Sequence, residues 1–204
     1  MTFLLNLLFS FAIIFFPTSF VYWLFRKNSL SLGISRPKSQ WFAFVLFLIY
    51  IVLVYDITGA GTWFELKITG VSFESNQLNL IPFSRDINNL AYFLNVVMFM
   101  PFGFLLPFIL NNRLSFLKMT FLGLSFSTLI ELSQLTNYRH TDVDDLIMNT
   151  IGAIIGYIFY RLIMHHKIHG STTNNPVLEG IALCLTTIVS HFLLFGYVIK
   201  YTLI

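Results

Sequence analysis

The chain has 204 residues, 56% of them hydrophobic and 18% aromatic, with only 10% charged and a mean hydropathy of +0.77. Soluble domains are about one-quarter charged, so this composition points to a bilayer, and the length allows one compact bundle over residues 1–204. The net charge of +3 is too small and dispersed for a nucleic-acid-binding face, and a lone cysteine, Cys184, excludes an intramolecular disulfide framework and thiol metal sites.

A helix crosses the roughly 30 Å hydrocarbon layer with about 20 mostly apolar residues. Six runs qualify: about 3–25, 41–57, 90–110, 119–138, 144–164 and 178–200. The expected fold is therefore all-α, a polytopic membrane bundle of about six transmembrane helices. The first run lacks the basic leader and small-residue cleavage site of a signal peptide, so it reads as a retained span, kinked near Pro17. Between the second and third runs, "FELKITGVSFES" (64–75) alternates apolar and polar residues around Thr69-Gly70, a weak hairpin signal. In the third run Pro101 and Pro107 remove helix donors and Gly103 relaxes packing, which predicts a kink.

Lysines and arginines set the orientation. The loops after spans one, three and five hold eight of them, and the opposite set, including Arg85 and Arg139, holds four. The positive-inside rule then places both termini outside the cytoplasm. His165, His166 and His169 fall on the cytoplasmic side beside Lys167 and read as an interfacial basic cluster, not a metal site. His191 in span six reads as a packing residue, and Cys184 as a small buried hydrophobe. No metal and no cofactor is expected.

Polar residues inside spans are costly and usually turn toward the bundle interior or a cavity. Here they agree in depth: Asn95 of span three, Glu131 and Gln134 of span four, and Asn149 of span five all lie roughly 6–11 Å below the outer surface at 1.5 Å per residue. Glu131 and Gln134 share a face. Asp142, Asp145, Asn149, Gly152 and Gly156 form one stripe whose inner half is a GxxxG pattern for close helix approach, within the chain or to a second copy. An outward-facing polar cleft fits this arrangement. At the start of the stripe, Thr141 or Asp142 can cap the helix, with Asp144 as a helix-starting acid. Glu131, about 10 Å deep, is expected to be neutral or paired with Arg139 or Arg85.

Four motifs carry a resemblance. "NLIPF" (79–83), "NVVMFMPFGFLLP" (95–107), "ELSQL" (131–135) and "RHTDVDDLIMNTIG" (139–152) stand in the order seen in the VanZ-like family, membrane proteins named for a member conferring low-level teicoplanin resistance. The chain resembles that family over about residues 40–163, with spans one (3–25) and six (178–200) outside the matched part. The resemblance picks out Asn79, Pro82, Phe83, Asn95, Phe99, Pro101, Gly103, Glu131, Gln134, Arg139, Asp145, Asn149 and Gly152. It implies a bacterial envelope protein, without assigning a reaction.

Three functions stay open. In the first, the cleft engages a lipid-linked cell-wall precursor or an anionic membrane-lipid headgroup and lowers glycopeptide susceptibility. Arg85 and Arg139 then meet phosphate or carboxylate, and Asn95, Gln134 and Asn149 supply neutral hydrogen bonds. In the second, Glu131 and Asp145 act as acid and base of a membrane-embedded enzyme on a lipid substrate. In the third, the chain is a small transporter or flippase. NLIPF, with Ile81 biased to extended geometry by Pro82, is expected to lid the polar layer.

Overall fold

The structure, a computed structural model, describes residues 2–33, 36–69, 77–84, 88–111, 114–137, 139, 141–164 and 175–195. Its long helices are α1 (Thr2–Ser31), α2 (Lys38–Thr58), α4 (Asn89–Ile109), α5 (Phe116–Gln134), α6 (Val143–Met164) and α7 (Pro176–Ser190), the last continuing into a π-helical turn, His191–Phe195. Six spans are long and apolar enough to cross a membrane. A short helix, α3 (Trp63–Thr69), follows α2, and two two-residue strands, β1 (Leu78–Asn79) and β2 (Thr141–Asp142), pair in parallel.

Local chemistry sets the ends. α2 stops at Gly59, whose left-handed backbone (φ 61°, ψ 50°) returns its N–H to the Tyr55 carbonyl. Asn88 caps α4 by accepting from the Ala91 N–H at 3.1 Å, and Asn175 caps α7 by accepting from Val177 at 3.0 Å with Pro176 in the first turn. Segment 64–69 is helical, which corrects the expected hairpin for those residues; 70–75 lie outside the described residues. The reason is a capping box. The Thr62 N–H donates to Glu65 Oε2 at 2.7 Å, and the Glu65 N–H donates back to Thr62 Oγ1 at 3.3 Å. α1 and α4 stay single helices through Pro17 and through Pro101 and Pro107.

The helices bury aromatic faces against each other and leave apolar faces outward. Tyr22 of α1 stacks on Phe44 of α2 at 4.2 Å, while Leu4, Phe16, Phe20 and Trp23 are exposed. Phe102 of α4 stacks on Phe126 of α5 at 5.0 Å, beside the fully buried Phe47 and Phe99. A helix apolar on all sides suits lipid, not water. α4 and α6 touch at backbone level. A Cβ on Gly103 would stand 1.9 Å from the Ala153 carbonyl, one on Gly152 would stand 2.2 Å from that of Val96, and one on Gly156 would stand 2.0 Å from that of Met100. Gly152 and Gly156 are thus filled by α4 of the same chain. Of the two partners that their spacing allowed, a helix of this chain and a second copy, the one seated there is α4 of this chain.

The two ends of the bundle differ. At the end where α1 and α4 finish and α5 and α7 begin, Arg36 and Glu179 form a fully buried two-pronged ion pair at 2.6 and 2.7 Å, and Gln40 donates to Asn111 at 2.8 Å. This polar lock ties α7 and the α1–α2 connection to the core. The opposite end, where α1, α4 and α6 start and α2, α5 and α7 finish, is the site end.

Candidate functional site

The site is assembled by a short parallel pairing that brings NLIPF to the start of α6. Leu78 stands beside Thr141 and Asn79 beside Asp142. Asn79 Nδ2 donates to both Asp142 carboxylate oxygens, at 3.2 and 3.1 Å, while Asn79 Oδ1 accepts from the Ile81 N–H and the Ser84 hydroxyl. Asp142 Oδ1 in turn accepts from the Asp144 N–H at 3.0 Å, making Asp142 the cap of α6.

Asp144 stands in the first turn of α6, as a helix-starting acid should, and its side chain is turned inward. It is 2% exposed. Its Oδ1 accepts from the Phe83 N–H at 2.9 Å and its Oδ2 from the Tyr92 hydroxyl at 2.5 Å, so it clamps NLIPF to α4. Phe83 is held at φ 55°, a region costly for a bulky side chain by about 1–2 kcal/mol, and its ring meets Tyr92 edge-on at 6.2 Å. Leu80, Ile81, Pro82 and Phe83 all remain exposed, capping the site end with apolar side chains.

Beneath this cap lie the carboxylates. Asn95 Nδ2 of α4 donates to Asp145 Oδ1 of α6 at 2.5 Å. Glu131 of α5 is 6% exposed; its Oε2 accepts from the Asp142 N–H at 3.3 Å, and its carbonyl accepts from the Thr141 hydroxyl at 3.1 Å. Among the described residues, the charged groups acting on Glu131 are Asp145 and Asp142, both acids. Of the states expected for Glu131, neutral or paired with an arginine, pairing with Arg139 is not what forms, since that guanidinium turns to the Thr58 carbonyl, and Arg85 lies outside the described residues. What tolerates so many acids is the start of α6, whose unpaired N–H groups and dipole favour negative charge.

Gln134 and Arg139 are drawn to the other side of α5. α5 ends at Gln134 instead of running to 138, so Gln134 sits at the helix end, not several residues below it. Gln134 Nε2 and an Arg139 guanidinium nitrogen both donate to the Thr58 carbonyl, each at 2.7 Å, and Asn137 Nδ2 donates to the Gly59 carbonyl at 2.8 Å. Their partner is the C-terminal end of α2, where carbonyls lack helical donors. Asn149 lies one turn below Asp145 and donates to Ser127 Oγ at 3.0 Å, fully within the α5–α6 seam.

The polar layer thus divides. Asn79, Asn95, Glu131, Asp142, Asp144 and Asp145 form an acid–amide group under NLIPF; Gln134, Asn137 and Arg139 form a second group on α2; Asn149 pins the seam. Phe83 belongs to the first group, while Gly103, Gly152 and Gly156 set the helix separation that lets Asn95 reach Asp145. Sequence reasoning did not single out Tyr92, Ser84 or Ser127. Ser127 stands four residues before Glu131, a helical-face signal that was available; Tyr92 and Ser84 had none, because β1–β2 pairing is non-local. Among the described residues no group of three His, Cys, Asp or Glu has metal-holding geometry. His191 is a buried packing residue whose Nε2 contacts the Ala60 carbonyl at 3.1 Å, and Cys184 is a free, buried thiol. His165, His166 and His169 lie outside the described residues.

Six lipid-length helices with an acid–amide group at one end define a multi-pass membrane protein with a polar end site. Comparison with known proteins gives its family. The VanZ/LLP1 family model matches residues 3–164, so the chain belongs to that family, and the match takes in α1, which the four motifs alone did not reach. Protein VanZ of Enterococcus faecium is similar to it, 29% identical over 119 residues that make up 58% of this chain and 73% of VanZ. No solved structure matches it.

Proposed function

We propose that the acid–amide group engages the polar head of a lipid-linked cell-wall intermediate at the outer membrane face, lowering susceptibility to glycopeptides of the teicoplanin type. The outward direction rests on the lysine and arginine asymmetry. The observation that carries the reading is the Asn95–Asp145–Glu131 arrangement: carboxylates and an amide, drawn from three helices, with no cation acting on Glu131 among the described residues. Such a surface accepts hydrogen bonds, so it suits sugar hydroxyls, amide N–H groups or an ammonium. Among the described residues a phosphate here would meet Asp145 and Glu131 and no arginine, which favours a hydrogen-bond-donating head over an anionic one. The exposed Leu80, Ile81 and Phe83 suit contact with lipid or with an isoprenoid-like chain beside the head.

A second reading, carboxylate acid–base chemistry on the same lipid, is favoured by one observation: Glu131 reaches the start of α6, accepting from the Asp142 N–H at 3.3 Å, and Asp145 lies in the first turn of that helix. Replacing Glu131, Asp145 and Asn95 in turn (E131Q, D145N, N95L), with teicoplanin susceptibility and envelope lipids measured in an expressing strain, tests both. The binding reading expects each variant to regain susceptibility with unchanged lipids. Accumulation of one lipid intermediate supports the enzyme reading, and full retention of phenotype at normal protein level sinks both.

A further inference from the structure

A cavity opens at the same end on the far side of α5, away from the acid–amide group. It has a volume of about 260 Å³, and its lining includes Tyr55, Asp56, Glu65, Arg139, His191 and Phe195. It is built largely outside the acid–amide group, from α1, α2, α3 and the π-turn after α7. A water occupies roughly 30 Å³, so the space holds about nine waters' worth of ligand, below the range of about 300–1,000 Å³ typical of drug-sized sites. A headgroup fits; an acyl chain or a glycopeptide does not.

Its charges are set apart from one another. Arg139 spends one donor on the Thr58 carbonyl, and its guanidinium lies flat on Gly59, where a Cβ would stand 2.4 Å from its central carbon. Gly59 is thus required twice, for its φ of 61° and for the cation above it. Among the described residues Arg139 forms no ion pair, and neither does Asp56, although both line the cavity. Glu65 is engaged at the α3 cap. The floor is aromatic: Tyr55 and His191 lie 4.8 Å apart and His191 stacks on Phe195 at 5.0 Å. Beside the rim, Trp63 of α3 carries Lys67 over its ring at 5.3 Å, an aromatic–cation pair of the kind that sits at headgroup depth.

A cation and a carboxylate without ion-pair partners among the described residues, in one headgroup-sized cavity, fit a ligand carrying both opposite charges. The geometry points to a zwitterion site, with the anionic oxygens of the ligand on Arg139 and its ammonium on Asp56, the source being an amino-phosphate lipid headgroup of the phosphatidylethanolamine kind. This site does not rest on the acid–amide reading, and either can fail without the other.

The test is native mass spectrometry of the purified full chain, titrated with phosphatidylethanolamine, phosphatidylcholine, phosphatidylglycerol and free O-phosphoethanolamine. Phosphatidylethanolamine is expected to be retained best, since a quaternary ammonium donates no hydrogen bond and glycerol carries no positive charge. D56N should weaken phosphatidylethanolamine by about tenfold or more and leave phosphatidylglycerol unchanged; R139Q should weaken both. G59A should mimic R139Q by displacing the guanidinium, with thermal unfolding confirming that the variant is folded; the exposed D56N keeps the test open if G59A is not. Binding of free O-phosphoethanolamine without the lipid keeps the zwitterion site and assigns it to a soluble ligand. Equal retention of all three lipids, or D56N and R139Q behaving as wild type, overturns the proposal.

Discussion

The α4–α6 seam makes the sharpest demand on sequence. Replacing Gly152 with alanine puts a methyl 2.2 Å from the Val96 carbonyl oxygen, whereas ordinary contact begins near 3.4 Å. The helices must part by about 1.2 Å there, and Gly156 and Gly103 set the same limit about one turn deeper. Overpacking of this kind costs about 1–3 kcal/mol. The parting also lengthens the Asn95–Asp145 bond from 2.5 Å to beyond hydrogen-bonding range, so a substitution in the seam reaches the site. Gly180 is the internal comparison, since a Cβ there meets only Leu122 and Leu110 methyls, the nearest at 2.9 Å. G103A, G152A and G156A should each lower reversible unfolding stability in bicelles by about 1–3 kcal/mol, and G180A by clearly less. Equal losses at all four positions, or no loss at Gly152, would refute the claim that backbone contact fixes the α4–α6 distance.

Other expectations follow from single contacts. Breaking the fully buried Arg36–Glu179 pair from one side, with E179Q or R36M, should cost about 3–5 kcal/mol, and the double variant R36M/E179M should recover much of it; an E179Q protein as stable as wild type contradicts this. D144N should speed hydrogen exchange at the Phe83 amide by about tenfold or more, because the charged acceptor is lost; unchanged exchange contradicts the clamp. A C-terminal reporter active only outside the cytoplasm should give signal, and activity of a cytoplasmic reporter instead reverses the orientation.

Much of the fold was legible because lipid length and apolarity are local signals. The spans of α4 and α6 fell within a residue or two of their true bounds, and GxxxG marked where helices touch. What was not legible was long-range pairing. Nothing near Asp144 announces that Phe83, 61 residues earlier in the chain, needs a carboxylate, and the acid therefore read as a cap. Arg139 and Glu131 looked like partners because both lie near the end of one helix. The early stop of α5 at Gln134 and the bare carbonyl of Thr58 send the arginine elsewhere. The partner of the GxxxG face was equally ambiguous, since small residues announce a close neighbour without saying whose. The TWFE capping box of α3 was present in sequence and was outweighed by an alternation of only a few residues.

The central claim is that Asn95, Asp145 and Glu131 form a receptor for the head of a lipid-linked cell-wall intermediate. Its most direct measurement is retention of that intermediate by the purified protein in nanodiscs, wild type against D145N and E131Q. A saturable wild-type complex, weakened about tenfold or more in each variant, is expected. Equal retention by all three proteins, each shown to be folded, contradicts it.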